Sequence, residues 1–105
     1  MQVFVKFEVF NTITDRQQIL ELRQLMGTQL RNIEISKKLK VGNIFADARG
    51  GFLLLDVQST EEVFQLLGSV IIDHCHVETH PVITFQQLGD FFKKDAVAET
   101  ILASN

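Results

Sequence analysis

An α+β domain built on one antiparallel sheet is the fold this sequence predicts, and three observations carry the prediction. The opening residues QVFVKFEVF place apolar side chains at every second position, which is the period of a strand. Residues from Asp15 to Ile33 instead repeat apolar side chains at spacings of three and four, the period of a helix with one buried stripe. Further strand-like runs and a second helical run then follow in the order β-α-β-β-α-β. A chain of 105 residues with 46% hydrophobic content fits a single domain with a modest core.

The elements follow in turn. In the first strand, residues 2–10, Val3, Val5, Phe7 and Val9 face one way and Gln2, Phe4, Lys6, Glu8 and Phe10 the other. Thr14, with Gln17 three positions on, reads as a capping box opening a helix. That helix carries Ile19, Leu22, Met26, Leu30 and Ile33, and Gly27 weakens it by about 1 kcal/mol without ending it. VGNIFADA at 41–48 reads as a second strand. Arg49-Gly50-Gly51 reads as a tight hairpin in which the glycine pair supplies positive φ angles. FLLLDV at 52–57 is a third strand whose apolar run predicts burial on both faces. Ser59 and Glu62 make another capping box, opening a short helix with Val63, Leu66 and Leu67 that ends at Gly68. A fourth strand spans 74–85. The tail is amphipathic, with Leu88, Phe91, Phe92, Ile101 and Leu102, and forms one or two helices with a break near Asp95. Residues 1–85 thus make a ferredoxin-like βαββαβ domain with both main helices on one face, and 86–105 a C-terminal helical extension of it. Right-handed crossovers make the first and third strands central and the second and fourth edges.

Composition narrows the partners. A net charge of −3 argues against nucleic acid, whose phosphates need a basic face. The basic cluster Lys37, Lys38 and Lys40 follows a helix, where cations complement the negative end of its dipole. The single cysteine forms no internal disulfide, which points to a reducing, cytoplasmic setting. The alternating start, with Lys6 and Glu8, is not a signal peptide, and no apolar run reaches the ~20 residues of a membrane span. Nine Phe with no Trp or Tyr speak for buried apolar surface.

The helices can cover only one side of the sheet. Phe4, Phe10, Phe52 and Leu54, with Phe45, fall on the other and make a patch too apolar for a free monomer. Burial gains about 1.5–3 kcal/mol for each large apolar side chain. A homodimer with sheets face to face, closing a barrel-like interior, is therefore expected.

LLLDVQSTEEVFQLL followed by VETHPVITF resembles the second half of muconolactone-isomerase-like proteins and small uncharacterised relatives in the dimeric α+β barrel superfamily. The shared features are Asp56-Val57 at a strand end, Ser59 with Glu61 and Glu62 at a helix start, and Glu78-Thr79-His80-Pro81-Val82 on the last strand. The resemblance implies a dimeric α+β barrel, with isomerases, cofactor-independent or haem-degrading oxygenases and proteins without assigned activity among its members. It supplies no catalytic set residue by residue, and the Trp of the haem-degrading pattern is missing. No cofactor is expected.

The stretch HCHVETHP at 74–81 holds all three histidines and the only cysteine. On a strand, His74, His76, Glu78 and His80 share the face of Lys6 and Glu8, while Cys75, Val77, Thr79, Ile83 and Phe85 join the core side. Ligand contacts are then assigned to Phe4, Lys6, Phe10 and His80, and catalytic proton transfer to His76, Glu78 and Glu8. Carboxyl groups in a dry cavity hold their protons more tightly, and imidazoles exchange theirs near neutral pH, which suits acid/base chemistry on a small organic acid or lactone. Edge strands also carry charge to block sheet extension, so a plain cross-strand ion network explains the same residues. Two histidines at alternate positions could share an ion with Glu8 as a third ligand. His76 and His80, however, lie roughly 13 Å apart along a straight strand and a His-x-His pair is a weak signal, so no metal site is assigned. Cys75 points away from its neighbouring histidines and reads as core. A small-molecule-binding homodimer and an isomerase- or oxygenase-type enzyme both remain open.

Overall fold

A computed structural model describes residues 1–104, and the side chains of residues 1–97. The chain runs β1 (Gln2–Val9), α1 (Arg16–Ile35), β2 (Leu39–Ile44), β3 (Gly50–Asp56), α2 (Thr60–His74), β4 (Cys75–Val82) and α3 (Phe85–Ser104). The strands form one open antiparallel sheet in the order β2-β3-β1-β4, so β1 and β3 are central. Val3, Val5, Phe7, Leu53, Leu55 and Val57 are buried on one face beneath Leu22, Met26 and Ile33 of α1 and Val63, Leu67 and Ile71 of α2. The alternation of β1 and β3 dictates that face, because period-two side chains of one register share a side.

Local chemistry sets the helix limits, and several differ from the sequence expectation. Asp15, not Thr14, caps α1, its carboxylate accepting the Gln18 N–H at 3.0 Å. The carboxylate satisfies one of the N–H groups that a helix start leaves unpaired. At the far end Lys37 adopts φ 64°, the left-handed turn that often follows a helix. The lysines lie past the last turn of α1, where its dipole has faded. Two of them pair instead with carboxylates, Lys38 with Glu62 at 3.2 Å and Lys40 with Asp56 at 3.8 Å. The Ser59 cap of α2 forms as expected, accepting the Glu62 N–H at 3.2 Å.

Gly68, with φ 67° and ψ 173°, ends the first helical segment of α2 as expected, and a second segment follows across the kink. Gln29 of α1 donates its side-chain amide to the Leu66 carbonyl at 2.6 Å, supplying a partner at the break. The helix resumes because Ile71, one turn on, is fully buried. This displaces His74 from the strand to the helix end, where its Nδ1–H donates to the Val70 carbonyl at 2.7 Å.

The glycine pair also plays a different part. Gly50 and Gly51 belong to β3 and neither has positive φ. A Cβ on Gly50 would sit 2.1 Å from the Phe7 carbonyl oxygen, and one on Gly51 2.4 Å from that of Asn43. Close strand approach, not turn geometry, demands glycine there. The 45–49 loop makes the connection, and β2 ends at Ile44 rather than Ala48.

β4 stops at Val82, short of Phe85, because Thr84 and Gln87 form a reciprocal capping box that opens α3. The Thr84 Oγ1 accepts from Gln87 N–H at 3.0 Å and the Gln87 Oε1 from Thr84 N–H at 2.8 Å. Thr79, Ile83 and Phe85 are exposed rather than core. α3 is one continuous helix with no break near Asp95. It leaves Phe85, Leu88, Phe91, Phe92 and Val97 exposed, Phe85 at 95%, and the molecule is 70 Å long against 27 and 23 Å across. The expected apolar roles of Ile101 and Leu102 lie outside the described side chains.

Candidate functional site

The second face of the sheet carries the candidate site, and strand register builds it. In the β1–β4 pair, Phe4 stands opposite His80, Lys6 opposite Glu78, and Glu8 opposite His76. Directly opposed residues share a face with Cβ atoms about 4.5–5.5 Å apart. On the other flank of β1, Phe4 faces Leu54 and Lys6 faces Phe52. A bulge between Leu39 and Val41 then shifts β2 so that Val41 meets Leu54 and Asn43 meets Phe52. Every residue assigned to the site from sequence, apart from Phe10, therefore lies on one surface.

That surface has an apolar middle and a polar flank. Phe4 stacks on Phe52 at 5.7 Å between ring centroids and 24° between planes, and tilts toward the His80 ring at 6.4 Å. These two rings and Leu54 are half-buried, so the both-faces burial expected for β3 is complete only on the helix side. Beside them Lys6, Glu8, His76 and Glu78 border a shallow depression of about 290 Å³. The His80 Nε2 lies 3.2 Å from the Glu78 Oε2, with both side chains more than half exposed. An exposed pair of this kind stabilises the fold by little. It does place a proton donor next to an acceptor, the minimum for acid/base work.

Phe10 lies one residue beyond β1, where strand alternation no longer governs it. It meets His76 edge-on at 4.5 Å and also packs against the core. Phe45 likewise falls in the 45–49 loop, outside β2. His74 is removed from the surface by its place on α2. Glu8, His76, Glu78 and His80 are exposed in the single chain, so the dry cavity imagined for them requires a cover from elsewhere. Val41 and Asn43 complete the face and were missed from sequence, since the bulge that turns them toward it leaves no local signal.

Cys75 stands on the opposite side, 3% exposed within the core. Burial pushes its thiol up from the ordinary 9.0 to about 11. A thiol held protonated in this way is a poor nucleophile, which agrees with the core role read from the sequence. Glu62, at the α2 cap, has its carboxyl held below the usual glutamate value, first by the Gln58 N–H and then by Lys38. Among the described residues no three His, Cys, Asp or Glu side chains converge in a way that could hold a metal ion. No helix among them is long and apolar enough to cross a membrane. Comparison with protein-family models and with curated proteins finds no match to the chain.

Proposed function

We propose that this chain is a ferredoxin-like domain that pairs with a second copy, open sheet face to open sheet face, as a dimeric α+β barrel binding a small molecule between the sheets. The uncovered Phe4–Phe52 stack carries the proposal. It sits at the middle of the face opposite α1 and α2, half-buried among the described residues and flanked by Lys6, Glu8, His76, Glu78 and His80. The strand order β2-β3-β1-β4 supports the ferredoxin-like assignment. An apolar pocket with a few converging ionisable groups is the usual form of a ligand site, and Lys6 suits a ligand carboxylate.

Area sharpens the picture. Four strands of this length cover a flat footprint of about 450 Å², against the roughly 800 Å² per partner of a stable interface. The sheet face alone falls short. The exposed apolar stripe of α3 is the natural supplement, reaching past its own body onto the partner. Sedimentation velocity from 1 to 100 μM tests the pairing: a dimer is expected, and a single-chain particle throughout that range would end the proposal.

The Glu78–His80 contact favours a second reading, an isomerase- or oxygenase-type enzyme that moves protons on a small organic acid or lactone with His76, Glu78 and Glu8. Deuterium incorporation into a panel of lactones and oxo acids in D2O tests it. Exchange that falls in the His76→Gln and Glu78→Gln variants supports proton transfer at this face. A panel with no protein-dependent exchange leaves the binding module as the reading.

A further inference from the structure

A separate cleft opens on the helix-covered side of the sheet, between α1 and the end of the β2–β3 hairpin. Its volume is about 370 Å³, within the range of small-ligand pockets. The floor is Phe7 and Val9 of β1, and the wall is Ile19, Leu22 and Met26 of α1. Gly27 stands on the rim, and a Cβ there would meet nothing within 4 Å.

Charge tells what the cleft would hold. Arg23 and Arg49 border it and no carboxylate does, although the chain as a whole carries net charge −3. Arg49 is fixed in place, donating from Nη1 to the Ile13 carbonyl at 2.9 Å and from Nη2 to the Phe10 carbonyl at 3.0 Å. Those carbonyls use part of a five-donor guanidinium and leave its charge uncompensated. Arg23 is exposed and makes no hydrogen bond or ion pair among the described residues. Two arginines among the lining residues of an otherwise apolar slot suit a planar carboxylate carried on an apolar body.

We infer that this cleft binds a small amphiphilic carboxylate, its apolar body over Phe7, Val9 and Met26 and its head group at the Arg23–Arg49 rim. The site is on the opposite side of the sheet from the proposed dimer face and does not depend on it. Decanoate, decanol and decylamine, kept below their aggregation concentrations, serve as probes for calorimetric titration of the full chain. Decanoate is expected to bind once per chain and to raise the melting temperature, with decanol at least tenfold weaker and decylamine weaker still. Arg23→Gln should weaken decanoate about tenfold, the usual scale for a lost charged hydrogen bond. A Cβ at Gly27 meets no atom within 4 Å, so Gly27→Leu has room to add its side chain at the edge of the cleft. It should abolish binding while raising the melting temperature by about 4 °C, the gain from replacing glycine inside a helix.

Equal affinity for decanol and decanoate would overturn the inference, as would undiminished binding to Gly27→Leu. So would binding that disappears in Phe52→Ser instead, which would put the ligand on the open sheet face. A Gly27→Leu variant that changes the sedimentation coefficient while decanoate has no effect would show the cleft to be a contact between copies, and the inference would fail.

Discussion

The two faces of the sheet carry similar apolar side chains and meet different fates. On the helix side Val5, Phe7, Leu53 and Leu55 are at most 4% exposed. On the other, Phe4, Phe52 and Leu54 are only half-buried, stacked on one another with histidines and carboxylates alongside. Both sets come from the same strands and the same alternation. What separates them is cover: α1 and α2 lie over the first, and the described residues leave the second half-exposed. The closed face therefore holds the stability of the single chain, and the open face holds apolar surface left for something else.

The largest test of that contrast is Phe7→Ala. Its ring is 1% exposed, so a loss of about 3–5 kcal/mol is expected in denaturant unfolding, as for other buried Phe truncations. A loss under 1 kcal/mol would mean the closed face is not the core.

Cys75 on the same closed face gives the next effect, and it is pH-dependent. The unfolded thiol ionises near pH 9 while the folded one keeps its proton to about 11. Stability is then full below pH 9 and declines as the pH rises from 9 to 11, by about 2–3 kcal/mol in all. Urea midpoints should show that decline, and Cys75→Val should flatten it. An unchanged alkaline limb in the variant would place the cause elsewhere.

Phe52→Ala on the open face is expected to cost the free chain only about 1 kcal/mol, the worth of a stacked, half-exposed ring. At concentrations where copies pair, the cost should grow, because the same ring is then buried between them. A concentration-independent loss would mean the open face has no partner copy.

Glu62→Gln, in the first turn of α2, should have the smallest effect. Its carboxyl is held low by the Gln58 N–H and by Lys38, so the native charge adds stability above the ordinary glutamate range. That contribution fades as the pH falls through the lowered folded value. Melting curves of wild type and variant should differ slightly at pH 7 and coincide at pH 2.

Much of this contrast was readable from local pattern. Alternation in QVFVKFEVF assigned Phe7 to the core and Phe4 to the other side. It also put Lys6 and Glu8 with His76, Glu78 and His80 before any register was known, because a period-two side chain has only two faces to choose from. Cys75 was assigned to the core on the same ground. Ends of elements were less legible. His74 and Ile71 belong to a helix that resumes past a glycine. That resumption depends on Ile71 reaching a core built by distant strands and on Gln29 reaching the Leu66 carbonyl from another helix. Phe10 and Phe45 sit just beyond strand ends, where alternation says nothing.

The sequence by itself determined the element order and the sidedness of the strands, since both follow from periodicities within a few residues. Only the tertiary structure decided that Gly50 and Gly51 are there for close strand contact. It also decided that the β2 bulge turns Asn43 onto the open face, that α3 stands clear of the body, and that a cleft with two arginines opens beneath α1. Each of these depends on how separate segments approach one another, and that distance is not encoded in any single stretch of chain.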